Sequence, residues 1–101
     1  GLARSLTNLA RSLSDLGRRE DALTTAEEAV RLYRALADAR PDAFTADLAR
    51  SLNNLAAMLS DLGRREAALA TVDEAVRLHR ALSRLRTAWR ISEQQKEYSN
   101  G

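Results

Sequence analysis

Leu-Ala-Arg-Ser-Leu-Thr-Asn-Leu-Ala-Arg-Ser-Leu-Ser-Asp-Leu-Gly-Arg-Arg-Glu at residues 2–20 returns at residues 48–66 as Leu-Ala-Arg-Ser-Leu-Asn-Asn-Leu-Ala-Ala-Met-Leu-Ser-Asp-Leu-Gly-Arg-Arg-Glu. A shift of 46 residues aligns 2–39 with 48–85, and 27 of those 38 positions are identical. Self-similarity at a fixed period of this length marks stacked supersecondary units, each unable to bury its apolar face alone.

Each copy divides into two helices. Leu2, Leu6, Leu9, Ala10, Leu13 and Leu16 step by three and four, which predicts one apolar helix face. Gly17 follows and suits the left-handed position that ends a helix. Arg18-Arg19-Glu20-Asp21 opens a second helix, with carboxylates in the first turn where the helix dipole favours them. Its stripe is Ala22, Leu23, Ala26, Ala29, Val30, Tyr33 and Leu36/Ala37. Pro41 is expected to close the unit, because proline cannot continue a helix and disfavours helical geometry in the residue before it. Asp42 or Thr45 would then cap the next helix, and Phe44 would staple its first turn. A connection of about three residues forces the two helices antiparallel. The prediction is an all-α fold, an α-solenoid of two antiparallel helical hairpins with a C-terminal helical extension or cap. The expected divisions are 1–46, 47–86 and 87–101.

Composition agrees. The 101 residues suffice for one small domain. Apolar content is 45%, nearly all Leu and Ala, with only four aromatic residues, Tyr33, Phe44, Trp89 and Tyr98. Leu, Ala, Arg and Glu lose little rotamer freedom in a helix. Net charge is +2 and the isoelectric point is near 9.7. The signs are interleaved, however, and no basic run is paired with aromatics, so no nucleic-acid site is expected. The absence of Cys excludes disulfides and thiolate metal sites. No apolar run approaches the roughly 18 residues of a membrane span, and no signal peptide is visible. The expectation is a soluble, cytoplasmic protein.

The pattern Leu6-x2-Leu9-Ala10-x2-Leu13-x2-Leu16-Gly17-x4-Ala22-Leu23-x5-Ala29-Val30, recurring from Leu52 to Val76, resembles the tetratricopeptide repeat. The usual period of that family is 34 residues, so helices or linker must be longer here. Ser51-Leu52-Asn53-Asn54-Leu55-Ala56 is similar to the long-repeat subclass found in kinesin light chains and bacterial multi-repeat proteins. HEAT and armadillo repeats share the period but lack the Leu-Gly-x4-Ala-Leu hinge.

The resemblance implies a concave groove lined by the first helix of each hairpin. The groove positions it implies are Arg4, Thr7, Asn8, Arg11, Ser14 and Asp15, then Arg50, Asn53, Asn54, Ala57, Ser60 and Asp61. Asn amides both donate to and accept from an extended peptide backbone, and arginines pair bidentately with carboxylates. The implied function is a scaffold that binds a protein or an acidic peptide, with no cofactor. Within the first helix the copies differ only at Thr7/Asn53, Arg11/Ala57 and Ser12/Met58. A shared scaffold with different contact residues would show this, and so would drift at solvated positions.

No catalytic constellation appears. His79 is the only imidazole; its counterpart is Tyr33, which predicts a structural role on the packing side of the second helix. Glu27→Arg31 and Asp73→Arg77 have the i,i+4 spacing of surface pairs. The four glycines form no phosphate loop, and no Ser lies in a nucleophile elbow. No metal site and no enzyme activity are expected.

Beyond Leu85 the repeat stops. Thr87 replaces Pro41, so the stop signal is lost, and Leu78, Leu82, Leu85 and Trp89 continue at helical spacing. This predicts one long helix from about 64 to about 97, the alternative being a separate helix folded back as a cap. Two repeats fall below the roughly three that usually make a stable array, and open apolar ends invite association. The rival to a ligand-binding scaffold is therefore a self-assembling unit, natural or designed. Such a unit would be a homodimer or domain swap with Leu85, Trp89 and Ile91 at the contact. The monomeric alternative has Trp89 covering the last hairpin.

Overall fold

Gly17 and Gly63 set the two hairpin corners. Each has positive φ, +79° and +75°, and each ends its helix with the same paired bonds. The Gly17 amide donates to the Ser14 carbonyl at 3.0 Å and the Arg18 amide to Leu13 at 2.9 Å; Gly63 and Arg64 do the same to Ser60 and Leu59, both at 2.9 Å. This six-to-one and five-to-two pair satisfies carbonyls that a helix end leaves open. Among residues 1–100, which the computed structural model describes, there are four helices and no strand. They are α1 (Leu2–Asp15), α2 (Arg19–Ala39), α3 (Pro41–Asp61) and α4 (Arg65–Asn100). A Cβ added at Gly63 would meet no atom within 4 Å, so Gly63→Ala probes conformation alone. It is expected to cost about 1–2 kcal/mol by the left-handed penalty, read as a lower urea midpoint with an unchanged slope.

Pro41 opens α3 instead of merely closing the unit before it. It occupies the first helical turn, where its missing N–H is no loss, and Arg40 alone links α2 to α3. The expected capping by Asp42 or Thr45 is not observed: both lie inside the helix, and the cap residue Arg40 makes no side-chain cap bond. Phe44 packs on the cluster that holds Val30, Tyr33 and Ala37. The length beyond a 34-residue repeat thus lies in the helices, with α2 and α3 each 21 residues long, and not in the linker.

Consecutive helices pack pairwise, α1 on α2, α2 on α3 and α3 on α4, as in an all-α solenoid. Two buried clusters join the hairpins. One holds Ala3, Val30, Tyr33, Ala37, Leu48, Leu52 and Ala75. The other holds Ala10, Ala22, Leu23, Ala26, Met58, Leu59 and Ala68. Alanines at the helix crossings let the axes approach where a leucine would hold them apart. The single Leu face expected on α1 is split in the fold. Ala3 and Ala10 are buried and Leu6 and Leu13 half-buried, whereas Leu2, Leu9 and Leu16 are exposed.

The hairpins are also tied across the surface. Arg34 donates to both carboxylate oxygens of Glu74, at 2.6 and 3.3 Å. That bond holds the Glu74 carboxyl below its usual range and the Arg34 guanidinium above its own. Both side chains remain substantially exposed, so salt screening leaves the pair a modest, roughly 0–1 kcal/mol contribution.

α4 runs unbroken for 36 residues, roughly 54 Å at 1.5 Å per residue. This is the long helix expected from the missing proline, and among the described residues no cap folds back. Trp89 is 69% exposed, so it does not cover the last hairpin as the monomeric alternative required.

Candidate functional site

Arg4, Thr7, Asn8 and Arg11 rise from successive turns of α1, on positions three and four apart that share a face. Across from them α3 supplies Asp47, Arg50 and Ser51, and Tyr33 of α2 reaches the floor. Together they line a concavity of about 240 Å³. Three guanidinium groups face one carboxylate, and that carboxylate sits beside Arg50 at 3.8 Å. The hollow is therefore net cationic and polar, with a Tyr ring beneath.

One repeat further along, Ala46, Arg50, Asn53, His79, Leu82, Ser83 and Arg86 line a second concavity of about 370 Å³. It is the register equivalent of the first: Arg50 corresponds to Arg4, Asn53 to Thr7 and His79 to Tyr33. Arg50 lines both hollows and makes them one groove. His79 is exposed there, which corrects the expected packing role: among the described residues no helix lies on α4 as α3 lies on α2, so the ring lines the groove.

Five of the positions implied by the resemblance, Arg4, Thr7, Asn8, Arg11 and Arg50, converge in the first hollow. Asn53 lines the second. Asn54 is half-buried where α3 meets α1 and α2, near Thr7, Ala10, Ala26 and Ala29. Ala57 lies in an apolar groove between α3 and α4 that Asn53 also lines. Asp47, Tyr33, Ser51 and Arg86 were not anticipated. For Tyr33 the signal was its register match to His79, the one aromatic pair between the copies. Leu85, Trp89 and Ile91 are all exposed on the free part of α4.

Among the described residues, no group of three or more His, Asp or Glu is placed to hold a metal ion, and no helix is long and apolar enough to cross a membrane. A family model described as tetratricopeptide repeat matches residues 2–41 and 48–83, most of the chain and both copies of the repeat. No curated protein and no solved structure matches the chain.

Proposed function

The chain belongs to the tetratricopeptide repeat family, whose repeats generally mediate protein–protein interaction as non-enzymatic scaffolds, and from that premise we propose that it binds an extended acidic peptide along the α1–α3 groove. The observation that carries this reading is the convergence of Arg4, Arg11 and Arg50 around one polar hollow with a single opposing carboxylate. Carboxylates of the peptide would take charge-assisted, bidentate bonds from these arginines. Asn8 and Asn53 offer both a donor and an acceptor to its backbone. Arg50, shared by two hollows one repeat apart, favours a ligand long enough to pass both.

The test is fluorescence polarisation with labelled acidic and charge-neutral peptides of equal length. Exposed charge pairs contribute up to about 1 kcal/mol each, so Arg11→Ala is expected to weaken acidic-peptide binding by about 5-fold. The Arg4→Ala/Arg11→Ala/Arg50→Ala variant should lose it, and added salt should weaken the native protein in parallel. Equal affinity for the neutral peptide, or undiminished binding by the triple variant, would overturn the reading.

A further inference from the structure

The hollow walled by α1, α2 and α3 is layered by depth. Arg4, Asn8, Arg11 and Arg50 stand exposed at its rim, Thr7 and Asp47 are half-buried, and Tyr33 and Ser51 are buried toward its floor. The rim is rich in donors, with three guanidinium groups and the Asn8 amide. The lower layer is built the other way. The Ser51 hydroxyl donates to the Leu48 carbonyl at 2.8 Å, and the Thr7 hydroxyl to the Ala3 carbonyl at 3.0 Å. Serine and threonine inside helices commonly back-bond in this way. A carbonyl only accepts, so each hydroxyl has committed its one proton and keeps only acceptor lone pairs for the hollow it lines.

Asp47 belongs to the same lower layer. Its carboxylate lies 3.8 Å from the Arg50 guanidinium, close enough for Coulomb attraction but too far for a hydrogen bond. The Asp47 side chain is 30% exposed and that of Arg50 71%, so the carboxylate stays low while the arginine reaches solvent. Two hydroxyl acceptors and a carboxylate above an aromatic ring suit an ammonium group. An ammonium has three donors and no acceptor, a Tyr ring attracts a cation over its face, and a lysine stem packs on apolar surface while its charged head finds polar partners.

We infer, on the acidic-peptide reading above, that the peptide carries a lysine between its carboxylates and that Asp47 is the residue that selects it. The lysine ammonium goes down to Asp47, Ser51 and Thr7, and the flanking carboxylates stay at the rim on Arg4, Arg11 and Arg50. A cation passes three arginines because their charges are exposed, screened by salt and neutralised by the carboxylates that arrive with it. The half-buried Asp47 is screened less. A peptide acidic at every position brings a carboxylate against Asp47 instead, where like charges repel.

Fluorescence polarisation tests it with three peptides of equal length, identical except for a central Lys, Gln or Glu between acidic residues. The native protein should bind the Lys peptide about 5-fold more tightly than the Gln peptide, the worth of one partly exposed charge pair, and the Glu peptide most weakly. Asp47→Asn should abolish that preference and Asp47→Glu should keep it, both with unchanged circular dichroism. Native affinity that rises with the peptide's negative charge, the Glu peptide binding most tightly, would overturn the selection of lysine and leave the acidic-peptide reading intact. So would an Asp47→Asn variant that binds all three peptides more tightly by the same factor, since Asp47 would then act only as a counter-ion of Arg50. Absence of binding by all three peptides would overturn the acidic-peptide reading, and the lysine with it.

Discussion

Leu52→Ala is expected to destabilise the chain by about 2–5 kcal/mol, as the removal of a buried leucine does when its site cannot collapse. Leu52 is 2% exposed and belongs to the cluster that gathers Ala3 of α1, Val30, Tyr33 and Ala37 of α2, and Ala75 of α4. All four helices thus contribute to its surroundings. Three alanines among these neighbours are already at the crossings, with no longer side chain to swing into the cavity. Against the roughly 5–15 kcal/mol that stabilises a domain, such a loss is a large share of the total and should lower the urea midpoint strongly. Urea titration followed by circular dichroism measures it. Leu6→Ala, the same substitution one repeat earlier, should cost markedly less because Leu6 is only half-buried. A loss below about 1 kcal/mol at Leu52, under the usual range for buried leucines, would show that the hairpins are not joined there.

The second large effect is a contrast within one sequence motif. Leu23 and Leu69 share the preceding alanine and the same place in their helices, but one is 3% and the other 70% exposed. Leu23→Ala is expected to cost about 2–4 kcal/mol, and Leu69→Ala less than about 0.5 kcal/mol, as surface substitutions do. Equal losses for the two variants would contradict the packing order of the helices.

Much of the architecture was legible in advance. The 46-residue period, the all-α content and both glycine corners followed from the residues, because a helix end at Gly17 is a matter of φ and of bonds within six residues. The long α4 followed in the same way, from Thr87 in place of Pro41. At the start of α3 the local signals competed: Pro41 reads as a stop for the helix before it and as a first-turn residue for the one after it, and here it is both. In the groove, five of the twelve positions carried over from the family meet in one hollow. Asn54 and Ala57 do not, because α3 touches the preceding hairpin on one side and leaves an open groove on another, and a one-dimensional repeat does not distinguish those sides.

The sequence by itself determined that the chain is helical, where the hairpins reverse and that the two hairpins are alike. These are consequences of backbone sterics and of a 3.6-residue period, and they act within a few residues. Only the tertiary structure decided which leucines are core. Leu2 and Leu48, Leu9 and Leu55, and Leu23 and Leu69 are the same residue in the same local setting, yet one of each pair is covered and the other open to solvent or more exposed. Burial is a property of what lies alongside. In a solenoid the neighbour comes from the adjacent repeat, so identical sequences acquire different surfaces at the two ends.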